Sequence, residues 1–202
     1  DKLLANGIRI LNPNKGWESK SFELLFSTMP VFTPDDLIGK RFRSYESKLA
    51  NTLRETLQSI PVQVRWKESY QAFKDGLIDL FLSPTAYTTA LNLHEVTNYT
   101  TIIDYGYTQN LVMAMSEYEY RKLSPSLQNA LAEAIDETGS YYAEIVTQES
   151  QLNIERFSSE FGMPVIHPDA TIWRRRFNQA LYSMCIDQGF LDKEMYEALQ
   201  AL

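Results

Sequence analysis

Two arginines, Arg41 and Arg43, stand two residues apart in the segment GKRFRSYES, residues 39–47. If this segment is a strand, both side chains project from the same face of it. The planar guanidinium group of arginine matches a carboxylate through two parallel hydrogen bonds. The pair therefore predicts a site for a small acidic molecule. A surface ion pair with a nearby aspartate or glutamate is the alternative that the spacing leaves open.

Further polar and aromatic side chains follow two other predicted strands. Arg65 and Trp66 come after the second strand, and Ser83 and Tyr87 come after the third. In an open parallel sheet, ligands bind beyond the carboxyl ends of the strands, where the N-termini of helices also point. We therefore expect these four residues to lie near Arg43.

Strand and helix periodicities alternate along the chain from residue 40 onward. Strands are predicted at 40–45, 61–66 and 79–84, and helices at 46–60, 68–78 and 85–96. Leu49, Leu53 and Leu57 form an apolar stripe in the first helix, for which Ser44 is the predicted N-cap. Alternating elements with short links indicate a mainly parallel sheet covered by helices on both faces.

The second half of the chain has a different character. Residues 97–115 are rich in threonine and tyrosine and are predicted to be extended, ending in an apolar strand at 111–115. So long an extended segment is typical of a crossing between two lobes. A very long helix is predicted from about residue 125 to 160, followed by a short strand in MPVIH and a helical remainder that breaks at Gly189.

Composition and charge exclude several classes of protein. The net charge of -7 argues against nucleic acid or an anionic membrane surface as a partner. No apolar run is long enough to span a bilayer. The first residues lack the pattern of a secretory signal peptide, which predicts either a cytosolic protein or a mature or truncated product. Because Cys185 is the only cysteine, no internal disulfide is expected.

The motifs of catalysis and of cofactor binding are missing from the sequence. It contains no G-x-S-x-G, H-E-x-x-H or G-x-G-x-x-G motif, and no nucleophile stands beside a recognisable base. His94 and His167 have no second soft ligand at metal-binding spacing. We therefore expect a protein that is not an enzyme and that carries no cofactor and no metal.

An ordered set of residues between 36 and 84 resembles a known family. The chain is similar to the substrate-binding proteins of tripartite ATP-independent periplasmic (TRAP) transporters, of the dicarboxylate-binding type. The matching residues are Asp36, Gly39, Arg43, Pro61, Tyr70, Ala72, Gly76, Asp79 and Pro84. Two later segments, LSPSLQNALAEAIDE and FGMPVIHPD, resemble the family's long helix and a following strand. The resemblance extends from about residue 8 to residue 185.

The resemblance implies a fold and a function. The fold class is α/β, with the two-lobed architecture of type II periplasmic binding proteins, parallel-sheet lobes and a long connecting helix. The function is that of a periplasmic receptor that captures a small organic acid and delivers it to TRAP membrane permease subunits. A ligand-sensing effector domain of a transcription regulator, which has the same two-lobed architecture, is the alternative function.

The resemblance also assigns roles to individual residues. Arg43 falls on the arginine that binds the ligand carboxylate, and Trp66 on an aromatic position that packs on the ligand. Ser83 stands where the family has an asparagine, so a hydroxyl replaces a carboxamide, and Tyr87 follows it by one turn. A second arginine is expected near the first crossing between the lobes, where this chain has Trp17 instead. Arg41 is the substitute for it, or else the ligand carries one acidic group.

The first lobe of the family is incomplete in this sequence. The resemblance divides the chain into the end of the first lobe with a crossing strand (1–32), the second lobe (33–106), the return crossing with the long helix (107–150) and C-terminal elements that pack back on the lobes (151–202). A lobe that lacks strands would leave sheet edges and an apolar face uncovered. This predicts a homo-oligomer, or pairing with the missing part of the first lobe.

Overall fold

The computed structural model describes residues 2–13, 17–19, 23–85, 88–104, 109–189 and the single positions 192, 194 and 197. The chain forms two compact units. Unit 1 consists of residues 1–21 and 108–152, and unit 2 of residues 22–107 and 153–202. The four-segment division made from the sequence stays a prediction. No helix in the described ranges is long and apolar enough to cross a membrane.

Short strands and helices of very different length alternate along the described chain. The strands are β1 (Ile8–Ile10), β2 (Glu18–Ser19), β3 (Glu23–Ser27), β4 (Arg41–Ser44), β5 (Ile60–Gln63), β6 (Leu80–Pro84), β7 (Tyr99–Ile103), β8 (Gln109–Asn110), β9 (Ala114–Ser116) and β10 (Val165–Ile166). The α-helices are α1 (Lys2–Ala5), α2 (Lys48–Thr56), α3 (Ser69–Lys74), α4 (Glu117–Lys122), α5 (Pro125–Ser159) and α6 (Ala170–Asp187).

Unit 2 is built on a sheet of six strands in the order β10–β7–β3–β6–β4–β5. β3 runs antiparallel to both of its neighbours, β6 and β7. The pairs β4–β5, β4–β6 and β10–β7 are parallel. The mainly parallel sheet expected from the sequence is thereby confirmed, and the carboxyl ends of β4, β5 and β6 lie at the same edge.

Two apolar clusters cover the two faces of this sheet. Alternation along β3 sends Leu25 into one cluster and Leu24 and Phe26 into the other. The first cluster joins the sheet to α2 and α6, and its largest member, Trp173, is 1% exposed. The second cluster joins the sheet to α3 and to the end of α5 through Phe157. Burial on both faces explains the runs of three apolar residues in β3 (24–26) and β6 (80–82).

The N-cap of helix α2 lies three residues later in the chain than predicted from the sequence. Its N-cap is Ser47, whose hydroxyl accepts a hydrogen bond from the backbone N–H of Ala50. The prediction of Ser44 as the cap is wrong because Ser44 belongs to β4, is fully buried, and donates its hydroxyl hydrogen to Asn51. The helix also ends earlier than predicted, since Gln58 adopts a positive φ of 60°.

Two other predicted elements differ from the structure. In place of a helix over 85–96, the described residues form two short 3-10 turns, Thr89–Leu91 and Leu93–Glu95. Asn92 separates these turns because its left-handed backbone conformation (φ 49°) breaks the helical path. The predicted apolar strand at 111–115 is confined to Ala114–Ser116, while Val112 is 62% exposed.

Unit 1 contains two small antiparallel pairs and most of the long helix. β1 pairs with β9, and β2 pairs with β8. The predicted long helix is confirmed as α5, which runs for 35 residues; its residues up to Leu152 belong to unit 1 and the rest to unit 2. Ile135 and Val146 on this helix are buried at 6% and 8% exposure.

A carboxylate between two arginines links the two chain segments that make up unit 1. Glu117, at the start of α4, accepts hydrogen bonds from Nε of Arg9 at 2.5 Å and from Nε of Arg121 at 2.7 Å. The Arg9 guanidinium also lies over the Tyr120 ring, with its carbon 4.2 Å from the ring centroid. Hydrogen bonds from Arg9 and then Arg121 lower the pKa of Glu117 from 4.5 to about 2.

This shift predicts a pH dependence of folding stability. Because the folded pKa lies below the unfolded one, Glu117 stabilises the folded chain fully above pH 4.5, and its contribution is lost as the pH falls towards 2. We expect Glu117→Gln to lower the denaturant midpoint at neutral pH and to flatten the acid-induced fall of that midpoint. Denaturant titrations at several acidic pH values measure both effects. Glu119→Gln, which removes an exposed pair with Lys122, is the control; an equal effect there would contradict the assignment.

Candidate functional site

Arg43 lies near the carboxyl end of β4, in the middle of three parallel strands. In the register of the sheet, Arg43 is opposite Val62 of β5, while Phe42 is opposite Leu80 of β6. The same register places Phe81 beside Arg43. Strand alternation then brings Tyr45 and Ser83, two residues further along their chains, to the same face at the strand ends. The edge of the sheet at which the sequence predicted the site therefore carries residues from more than one strand.

The guanidinium group of Arg43 is held by one hydrogen bond and three rings. Its Nε donates to the carbonyl oxygen of Val64 at 2.9 Å. The guanidinium carbon lies 5.4, 5.7 and 5.5 Å from the ring centroids of Tyr45, Trp66 and Phe81. Because Nε is occupied and the group is surrounded, the side chain is positioned before any ligand arrives.

Arg43 has no carboxylate partner among the residues that the structure describes. It is half-buried, and burial lowers the pKa of its guanidinium. The positive charge of Arg54 lowers that pKa further, while Tyr45 acts in the opposite direction. A partly buried charge without a counter-ion is costly, and an anion that binds to the two remaining nitrogens would offset this cost.

Arg54 is a second cation near Arg43 that sequence reasoning missed. It is 8% exposed, and its guanidinium carbon lies 3.9 Å above the centroid of the Phe42 ring. Phe42 and Arg43 alternate along β4, so their side chains leave opposite faces of the sheet. Arg54 therefore adds positive potential to the site from the far face, where it does not share a wall with Arg43.

Arg41 is engaged in an ion pair within unit 2. Its Nε and Nη2 donate to the two carboxylate oxygens of Asp79 at 2.9 and 2.5 Å, and its Nη1 donates to the carbonyl oxygen of Gly76. The hydrogen bonds from Arg41 hold the pKa of Asp79 below its ordinary value. The ion-pair alternative left open by the sequence is the arrangement found, with a partner 38 residues away rather than a neighbour.

Arg65 and Trp66, which follow β5, differ in their surroundings. The side chain of Arg65 is 87% exposed and pairs with Glu68 at 2.6 Å. Trp66 begins a 3-10 turn, is partly buried, and lies 5.1 Å from the Phe81 ring between centroids. Of these two residues, the structure brings Trp66 to Arg43.

Ser83 lies at the carboxyl end of β6 and is fully buried. Its hydroxyl donates to the carbonyl oxygen of Pro84 at 3.1 Å. The chain that follows is fastened to α5, because the Asn153 side chain donates to the carbonyl oxygen of Thr85 at 3.2 Å. Tyr87, the other residue predicted here, lies outside the described residues.

Trp17 belongs to unit 1, whereas the other described candidates belong to unit 2. Its indole N–H donates to the carbonyl oxygen of Ile135 at 3.1 Å. Its ring lies 5.4 Å from the Tyr142 ring between centroids. The described contacts of Trp17 therefore fasten the segment before β2 to α5, and its predicted ligand contact stays a prediction.

Two aromatic neighbours of Arg43 were not among the residues selected from the sequence. Tyr45 follows Arg43 at strand spacing, so the alternation of RFRSY contains a signal that could have identified it. Phe81 has no such local signal, because only the pairing of β4 with β6 brings it to Arg43.

Comparison with known proteins identifies relatives along most of the chain. Residues 1–187 match the family described as bacterial extracellular solute-binding protein, family 7. The 2,3-diketo-L-gulonate-binding periplasmic protein YiaO of Escherichia coli (strain K12) is 26% identical over 190 residues. That match covers 94% of this chain and 56% of the relative, so the chain spans little more than half of the relative's length.

Solved structures show the same fold. A TRAP periplasmic solute-binding protein from Escherichia fergusonii, in an apo open structure, matches with a TM-score of 0.81 and 18% identity, covering 98% of this chain and 64% of that one. A TRAP periplasmic solute-binding protein from Ochrobacterium anthropi with bound L-fuconate matches with a TM-score of 0.76 and 20% identity, covering 99% and 64%. The fold class expected from the sequence is confirmed by these matches.

Proposed function

Because the chain belongs to the bacterial extracellular solute-binding protein family 7, we propose that it is a receptor that captures a small organic acid for a TRAP transporter. In this proposal Arg43 binds the ligand carboxylate through the two guanidinium nitrogens that Val64 leaves free. Trp66 packs beside the ligand, and Ser83 lies at the adjacent strand end. The residue assignments are part of the proposal.

The observation that carries the proposal is the uncompensated charge of Arg43. The guanidinium is half-buried, positioned by one backbone carbonyl and three rings, and has no ion pair within the described residues. A half-buried charge without an ion pair among the described residues is expected of a binding group rather than of a structural ion pair. Arg41, which has the same residue type and shares the strand, shows the structural arrangement for comparison.

The family match also separates this function from the alternatives. The family is one of solute-binding proteins rather than of enzymes. It favours a transport receptor over the effector domain of a transcription regulator. Action in the periplasm and delivery of the ligand to membrane permease subunits belong to the same proposal and rest on the family.

Pairing of unit 1 with further protein surface is a separate part of the proposal. Unit 1 exposes large apolar side chains, including Val112 (62%), Tyr118 (70%) and Tyr141 (66%). Exposed apolar surface of this kind supports either self-association or coverage by a complementary part of the first lobe. The partner of unit 1 is thus either a second copy of the chain or a complementary part of the first lobe.

A fluorescence titration tests the receptor function. The centroid of the Trp66 ring lies 5.7 Å from the guanidinium carbon of Arg43. A carboxylate bound to Arg43 changes the field and the hydration around this indole. We expect the emission of the protein to change saturably on addition of L-malate, L-fuconate or phenylacetate, and the change to be lost in Trp66→Phe. The absence of a saturable response and of a thermal shift with all three acids would contradict the function.

A further inference from the structure

Of the described arginines near this wall of unit 2, Arg43 is the one left available for contact with a ligand. Arg41 is occupied by both oxygens of Asp79, and Arg65 is paired with Glu68. Arg54, although close enough to affect Arg43, stacks on Phe42 at the opposite face. A second carboxylate held against this wall would therefore lose its hydration without meeting a free guanidinium group among the described residues.

The side chains around the guanidinium of Arg43 are aromatic. Within the described residues, its contacts are the carbonyl oxygen of Val64 and the rings of Tyr45, Trp66 and Phe81. The nearby polar groups are largely engaged with each other: Ser83 donates to a backbone carbonyl, and the Asn51 carbonyl oxygen accepts from two side chains. Among the described residues of this wall, a ligand rich in hydroxyl groups would find few unsatisfied partners.

Ring faces favour a flat, apolar group next to the bound carboxylate. Tyr45 is 53% exposed, so its ring is accessible beside Arg43. Aromatic rings prefer offset or edge-to-face contacts with other flat rings, and such contacts add to the effect of buried area alone. The charge selects a carboxylate, and the exposed ring of Tyr45 favours a flat group attached to it.

We infer that the ligand is a monocarboxylate whose remainder carries a flat apolar group, such as an aryl-substituted acid. This inference rests on the proposed function, since it requires that Arg43 binds a carboxylate. It distinguishes an aryl acid from a dicarboxylate and from a polyhydroxylated acid, which contain the same anchoring group but differ in the rest of the molecule.

Calorimetric titration with matched probes tests the inference. The probes are phenylacetate, L-malate and L-fuconate, with phenylacetamide as the uncharged analogue of the first. We expect phenylacetate to bind at least about tenfold more tightly than the other two acids, because an unpaired carboxylate or hydroxyl is desolvated in each of them. Phenylacetamide is expected to show no binding.

Variants connect the preference to the rings. Tyr45→Ala removes an exposed ring, and we expect it to weaken the binding of phenylacetate about fivefold more than that of L-malate. Arg175→Ala, on an exposed position of α6, is the matched control and should change neither affinity.

The outcomes separate the two levels of the proposal. If L-malate or L-fuconate binds more tightly than phenylacetate and binding depends on Arg43, the monocarboxylate inference is overturned and the receptor function stands. If none of the acids binds, or if phenylacetamide binds as tightly as phenylacetate, the carboxylate function itself is overturned. Equal effects of Tyr45→Ala on all the acids would also overturn the inference.

Discussion

Arg43→Met is expected to weaken carboxylate binding at least about 100-fold, because it removes two charge-assisted hydrogen bonds worth on the order of 1.5–3 kcal/mol each. Methionine keeps much of the side-chain volume, and removal of a half-buried charge without a counter-ion leaves the ligand-free fold intact. Calorimetric titration with the acid that binds best to the wild type measures the loss, and thermal unfolding of the ligand-free protein verifies the fold.

Two further variants make the Arg43 prediction specific. Arg43→Lys keeps the charge but loses the planar fork, so we expect an affinity between those of the wild type and Arg43→Met. Arg175→Met removes an exposed arginine on α6 and should leave binding unchanged. If Arg43→Met bound the acid as tightly as the wild type, Arg43 would not be the anchor.

Trp173→Ala is expected to destabilise the protein by roughly 3–5 kcal/mol, the usual effect of removing a fully buried aromatic side chain. Trp173 is 1% exposed, and its indole N–H donates at 3.0 Å to the carbonyl oxygen of Phe32, which precedes β4. Its ring also lies 5.7 Å from that of Phe177 between centroids. Denaturant unfolding followed by circular dichroism measures the change.

Matched substitutions separate cavity formation from a general effect on α6. Trp173→Phe keeps an aromatic ring but leaves the Phe32 carbonyl without its donor, so a smaller loss is expected. Ile172→Ala changes the preceding residue, which is 37% exposed, and should cost under about 1 kcal/mol. A similar loss for Ile172→Ala and Trp173→Ala would show that the tryptophan has no special role.

The parts of the fold that were predicted correctly have local causes. The strand at Arg41–Ser44, the long helix α5 and the mainly parallel sheet follow from hydrophobic periodicity and from the order of the elements. The predicted helix over 85–96 is wrong for the described residues because the left-handed backbone at Asn92 interrupts the helical path. The pattern of apolar residues gives little information about the backbone conformation of one residue.

Similar limits apply to the arginines. The pair between Arg65 and Glu68 lies within one helical turn and could have been read from the sequence. The pair between Arg41 and Asp79 joins two residues separated by 38 positions. Nothing in the spacing of Arg41 and Arg43 says which of the two is taken by a carboxylate of the same chain, because that depends on which strand lies beside β4.

The sequence by itself determined the family resemblance, the class of fold and the position of two arginines on one strand, because these depend on residue order and on periods of a few residues. Tertiary structure alone decided that Asp79 occupies Arg41, that Phe81 and Trp66 enclose Arg43, and that Arg54 acts from the opposite face. The physical reason is strand pairing: the register of β4 with β6 brings distant residues together, and those contacts decide which charge remains available to a ligand.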